Sequence, residues 1–148
     1  KAPLKGPGTN IGDVLRATDF VMPAVEVIDS RYRDFLFDVN SVIADNSSSS
    51  RFVAGGAMAK AQDLDLKNLG VVLEVNGNVV QIGASAEVLG HPASSIASLA
   101  NQLAERGEEI PAGTFIMVGA ITQAVSVNKG DHFSVRYQGL GSVSGRFV

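Results

Sequence analysis

Leu69-Gly70-Val71-Val72-Leu73-Glu74-Val75-Asn76-Gly77-Asn78-Val79-Val80-Gln81-Ile82 sets two apolar, β-branched runs on either side of an Asn-Gly pair. Asn and Gly tolerate the positive φ angles of a two-residue hairpin turn, so residues 69–75 and 78–82 are expected to pair antiparallel. Downstream, Pro92 suits the first turn of a helix, Ile96, Leu99, Ala100 and Leu103 recur at helical spacing, and Gly107 supplies a stop. The apolar face of that helix is expected to cover a sheet. Three further strand-like runs follow: Thr114 to Val118, His132 to Tyr137 and Ser142 to Val148, with turns at Lys129-Gly130-Asp131 and Gly139-Leu140-Gly141.

Upstream, Thr9 or Asn10 caps a short helix with Ile11, Val14 and Leu15 on one face, ending near Asp19. Phe20 to Ile28 reads as a buried strand with a proline near its start. Ala44-Asp45-Asn46-Ser47-Ser48-Ser49-Ser50 marks a loop, and an apolar stretch then runs into Gly55-Gly56. These elements predict a β-rich α+β domain, with a mixed, mostly antiparallel sheet or roll and one long amphipathic helix.

The chain has 148 residues, 45% of them apolar, which is enough for one domain core. Its 12 basic and 15 acidic side chains are dispersed and give a net charge of −3. No basic stripe is present, which argues against a nucleic-acid partner. Charges, Gly or Pro interrupt every apolar run short of the roughly 20 residues needed to cross a bilayer, so no membrane partner is expected. The absence of Cys excludes a disulfide framework, a thiolate nucleophile and a sulfur-based zinc site, and fits a cytoplasmic protein.

Glu26 is the odd residue of its strand: a carboxylate between Val25 and Val27 is costly to bury unless a cation or metal compensates it. Asp29 lies three residues further on, and in a regular strand the two would face opposite ways, so only a bend after Ile28 brings both to one site. The alternative is a surface carboxylate plus an Asp29–Arg31 pair. His91, before Pro92, suits a helix cap or an acid–base role. His132 has no nearby partner in sequence and suits a structural role. Gly119-Ala120-Ile121-Thr122 offers backbone amides and a hydroxyl for a carboxylate, or is a plain turn. Gly139-Leu140-Gly141-Ser142 lacks the Lys and the strand-to-helix setting of a phosphate loop, and no serine lies in a nucleophile elbow.

Four separated motifs, Val25-Glu26-Val27-Ile28-Asp29-Ser30-Arg31-Tyr32, Ala44-Asp45-Asn46-Ser47-Ser48, Val88-Leu89-Gly90-His91-Pro92 and Tyr137-Gln138-Gly139-Leu140-Gly141-Ser142-Val143, resemble the hydratase/decarboxylase branch of the fumarylacetoacetate hydrolase superfamily. The resemblance runs from Lys1 to Val148. Leu103-Ala104-Glu105-Arg106-Gly107-Glu108 and Ile110-Pro111-Ala112-Gly113-Thr114-Phe115-Ile116-Met117 look more like the decarboxylases of that branch than its hydratases.

The resemblance implies a magnesium or manganese ion held by three acidic side chains, of which Glu26 is one. The others, a Glu-x-Glu pair, and a family lysine would lie upstream of Lys1, so residues 1–148 are expected to be a single catalytic domain forming the carboxyl-terminal part of a longer chain. The implied reaction is metal-dependent decarboxylation of 2-oxo-3-hexenedioate in aromatic catabolism. The alternatives are hydration of 2-hydroxypenta-2,4-dienoate and, in another class, a non-catalytic fragment with an incomplete metal site. From motif position, Asp29 and Arg31 would orient the ligand or substrate beside the metal, and Asn46, Ser47 and Thr122 would bind substrate oxygens. The expected partners are a small dicarboxylate, further copies of the chain in a homo-oligomer, and a partner hydratase.

Overall fold

The computed structural model describes residues 1–148. In chain order the elements are helix α1 (Ile11–Ala17), strand β1 (Ala24–Ile28), helix α2 (Val39–Ala44), strands β2 (Ser49–Ala54), β3 (Gly70–Val75) and β4 (Asn78–Ala84), helix α3 (Pro92–Ala104), and strands β5 (His132–Tyr137) and β6 (Gly141–Arg146). They form two antiparallel sheets, a pair β1-β2 and a four-stranded sheet of order β4-β3-β5-β6.

The hairpin forms where the sequence places it. Asn76 and Gly77 both have positive φ, 51° and 80°, as the twist-matched two-residue turn requires. Asn76 also joins the hairpin to the next strand: its side chain donates to Asp131 (2.8 Å) and accepts from the His132 amide (3.0 Å). Period-two alternation on β3, β5 and β6 then turns Val71, Phe133, Val135 and Val143 to one face, where with Leu69 they make the main core. Val25 and Val53 of the smaller sheet pack against that core. The Tyr137 hydroxyl donates across the sheets to the Ala24 carbonyl, and burial pushes the phenol above its ordinary pKa.

Helix α1 starts with a reciprocal cap between Asn10 and Asp13. Helix α3 starts at His91, whose Nδ1 accepts from the Ala93 amide at 3.0 Å, so this imidazole is a cap. The predicted covering of a sheet by α3 is not observed. Its small residues Ala93 and Ala97 pack against Val14 of α1, with Leu4, Leu15 and Ile96 around them, in a second core. Alanines spaced one turn apart let two helices approach closely, which a flat sheet face does not need.

Two strand assignments also change. The strand predicted from Phe20 begins at Ala24, and only an isolated bridge between Val21 and Ala59 precedes it, because Pro23 has no amide to donate. Thr114 to Val118 forms no strand at all. Residues 112–127 make no backbone–backbone hydrogen bond within the chain. The segment instead passes across β4, so close that a Cβ at Gly83 would lie 2.4 Å from the Ile121 carbonyl. Apolar β-branched composition records a tendency to pair, and here no edge in this chain takes it up.

The chain exposes 9383 Å², whereas a compact monomer of 15.4 kDa exposes about 7,200 Å². Part of the surplus is apolar: Leu36, Val39, Ile43, Phe52, Ile82 and Phe115 are each about two-thirds or more exposed.

Candidate functional site

The chemistry-bearing residues of the first two motifs gather around β1-β2. Glu26 pairs in register with Phe52, and the register shifts between Val27 and Ile28, so that Ile28 faces Ser49. That irregularity falls one residue before the bend expected after Ile28, and Glu26 and Asp29 both lie at the exposed surface. Of the two readings of Glu26, the surface carboxylate is the one found. Its Oε1 accepts from the Ser49 hydroxyl at 2.5 Å, and a carboxylate with water access needs no compensating charge. The Asp29 amide donates to the Ser48 carbonyl at 2.8 Å, which extends the pairing.

Arg31 forms its ion pair with Asp45, not with Asp29. The Asp45 side chain is only 3% exposed, whereas that of Arg31 is 52% exposed. One carboxylate oxygen accepts from Arg31 Nε; the other accepts from the Ser30 hydroxyl (3.2 Å), the Arg31 amide (3.3 Å) and the Ser48 hydroxyl (3.0 Å). Arg31 also donates to the carbonyls of Asp45, Ser49 and Asp29. Burial raises the cost of charge on Asp45, but the Arg31 and Ser48 hydrogen bonds more than offset it, and the carboxyl is held below its ordinary value of 3.8. No buried side-chain polar atom in the chain lacks a partner.

Asp45 ends α2, and the three residues after it, Asn46, Ser47 and Ser48, have φ of 52°, 54° and 57°. Left-handed backbone at a residue with a Cβ costs roughly 1–2 kcal/mol per residue, so this turn persists because its ends are tied. The Ser48 amide donates to the Asp45 carbonyl at 3.0 Å and the Ser48 hydroxyl to the Asp45 carboxylate. Ser48 is buried, and Asn46 and Ser47 are held outward in water.

Glu26, Asp29, Arg31, Asn46 and Ser47 thus share one neighbourhood. Thr122 does not join it by any hydrogen bond; it is half-buried beside Gly83 on the larger sheet. His132 opens β5 and its amide bonds Asn76, a structural position. A concavity of about 640 Å³ between α1 and α3 is lined by none of these residues. We place the candidate site at the carboxylate–arginine cluster, because that open groove holds no buried or tied charge. Sequence reasoning passed over Asp45 and Ser49. An aspartate followed by Asn and serines reads as an ordinary loop, and only the return of Arg31 across 14 positions distinguishes this one.

The fold and this cluster define a fumarylacetoacetate hydrolase-type domain: residues 4–148 match the fumarylacetoacetate (FAA) hydrolase C-terminal model, and the chain belongs to that family. The chain is 67% identical over 148 residues to a 4-oxalocrotonate decarboxylase of Pseudomonas putida, covering 100% of this chain and 56% of that protein. It is 39% identical over 155 residues to a 2-oxo-hept-4-ene-1,7-dioate hydratase of Escherichia coli, covering 99% and 57%. Among solved structures, the 4-oxalocrotonate decarboxylase from Pseudomonas putida G7 complexed with magnesium and adipate superposes with a TM-score of 0.96 at 66% identity, over 100% of this chain and 56% of that one. The chain therefore spans a little over half the length of these relatives.

No group of three or more His, Cys, Asp or Glu side chains in this chain is placed to hold a metal ion. Glu26 offers the hard oxygens that magnesium prefers, but one carboxylate does not make a centre. The residues of this chain alone do not fit a complete magnesium site.

Proposed function

We propose that residues 1–148 form the carboxyl-terminal catalytic domain of a cytoplasmic, divalent-metal-dependent decarboxylase. Its reaction converts 2-oxo-3-hexenedioate to 2-hydroxypenta-2,4-dienoate and carbon dioxide in the meta-cleavage degradation of aromatic compounds. The observation that carries this reading is the much higher identity to the decarboxylase than to the hydratase over the same length of chain. In this reading magnesium or manganese is the cofactor, Glu26 supplies one of its ligands, and polypeptide outside these 148 residues supplies the others.

The substrate carries a carboxylate at each end. When the distal carboxylate leaves as carbon dioxide, the electron pair of the broken C–C bond moves through the conjugated chain to the keto oxygen, which then takes a proton. Arg31, half-exposed with its other donors engaged, offers a fixed cation to a substrate carboxylate. Asn46 and Ser47 present polar groups on a turn that does not have to reorganise. Thr122 offers a hydroxyl from the segment that crosses β4 of the larger sheet. Asp29 lies beside Arg31 and helps set the charge at the mouth of the site. Assembly into a homo-oligomer and with a partner hydratase is part of the same proposal, supported by the surplus apolar surface.

Carbon dioxide release from 2-oxo-3-hexenedioate by the full-length protein, with and without magnesium, tests the reading. Metal-dependent release is expected, and Glu26→Gln is expected to abolish it and weaken magnesium binding by calorimetry. Hydration of 2-hydroxypenta-2,4-dienoate without release of carbon dioxide from the diacid would assign the hydratase activity instead.

A further inference from the structure

Asp45 is the most enclosed charged side chain of the cluster, and every one of its contacts runs to a residue that the proposed reaction uses or to the frame that holds one. Its carboxylate takes Nε and the amide of Arg31, together with the hydroxyls of Ser30 and Ser48. Its carbonyl takes a second guanidinium nitrogen and the Ser48 amide. At 3% exposure the side chain has no surface left to offer a substrate. We propose that Asp45 is a positioning residue: it fixes the Arg31 cation and the left-handed Asn46–Ser48 turn in one frame, so that the cation and the outward polar groups of the turn meet the same bound dicarboxylate.

Two features argue for positioning over simple stabilisation. First, the Arg31 guanidinium is held from three sides, by the Asp45 carboxylate, the Asp45 carbonyl and the Ser49 carbonyl. A cation tied this way loses its rotamer freedom before substrate arrives, and a displacement of about 1 Å at such a group changes rate by up to roughly a hundredfold. Second, the frame extends to Glu26: Ser49, whose carbonyl accepts from Arg31, donates its hydroxyl to the Glu26 carboxylate. One buried carboxylate thereby links the cation, the turn and the proposed metal ligand through direct hydrogen bonds.

The inference rests on the substrate-facing role proposed for Arg31, and the test separates the two. In the full-length protein, with magnesium and 2-oxo-3-hexenedioate, Arg31→Ala is measured first. Normal turnover would overturn the role of Arg31, and with it the positioning role. If Arg31→Ala is impaired, Asp45→Asn is expected to lower kcat/KM by roughly 10- to 100-fold. In the Arg31→Ala background the same substitution is expected to add less than about twofold. Added guanidinium chloride is expected to restore part of the turnover of Arg31→Ala, and none of that of the double variant. Full multiplicative loss in the double variant, equal rescue of both, or normal kinetics for Asp45→Asn alone would each overturn the proposal and leave the role of Arg31 standing. If Asp45→Asn does not fold, the wild-type protein decides: the Arg31 Nε proton is expected to show slowed solvent exchange by NMR, and exchange as fast as in free arginine overturns it.

Discussion

Arg31 and Asp45 show what a single side chain decides in this molecule. Asp45 titrates below its ordinary value, as do Asp38, Asp65 and Asp131, each of which accepts hydrogen bonds from a nearby backbone amide or side chain. A carboxyl whose folded pKa is depressed stabilises the fold fully above its unfolded value, and the contribution disappears as pH falls through the folded one. We therefore expect the urea midpoint to stay flat from neutral pH to about pH 5 and to fall below about pH 4, with part of that fall removed in Asp45→Asn. Urea titrations across that range check it. The cluster was only partly legible in sequence. Glu26, Asp29, Arg31, Asn46 and Ser47 stand in two motifs that the fold brings together. Asp45 could not be assigned, because a loop aspartate and an ion-pairing one have the same neighbours in the chain.

Elements were legible where local chemistry alone sets them. Asn76-Gly77 dictates its turn, Asn10 and His91 cap their helices, and β5 and β6 alternate with period two. The failures came where a partner decides. Thr114 to Val118 has the composition of a strand, but a strand needs an edge, and this stretch crosses over β4 at Gly83. Gly83→Ala would drive a methyl group into the Ile121 carbonyl, a backbone atom that moves only with its whole segment. We expect a loss of about 1–3 kcal/mol, read as a lower urea midpoint with unchanged slope. Helix α3 failed for a similar reason: amphipathic spacing reveals a face but not whether another helix or a sheet covers it.

At the scale of the molecule, the accessible surface exceeds that of a compact monomer by about 2,000 Å², an area of the order buried in a stable interface. Leu36, Val39 and Ile43 are exposed on and just before α2, and Phe115 and Ile82 on other segments. We expect the 148-residue polypeptide, prepared alone, to self-associate at micromolar concentration, whereas the full-length protein gives a discrete assembly; light scattering coupled to gel filtration separates the two. Fold class was the most legible property at this scale, because periodicity and turn chemistry acted in the same direction across several elements. What covers the exposed apolar residues was the least legible, because a chain does not encode in its own pattern which surface meets them.

The left-handed turn at Asn46–Ser48 has a thermodynamic meaning for the molecule as a whole. Glycine would adopt these angles at little cost, so three side-chain-bearing residues there make the native state less stable than its backbone permits. That deficit falls on Asn46 and Ser47, the residues proposed to meet substrate, and on the buried Ser48 that ties them down, and the rest of the fold absorbs it. The turn is a place where this protein gives up conformational ease to keep polar groups in a fixed array, and on the proposed function a more thermostable version of the chain would be reached most readily by relaxing the part that its chemistry would least spare.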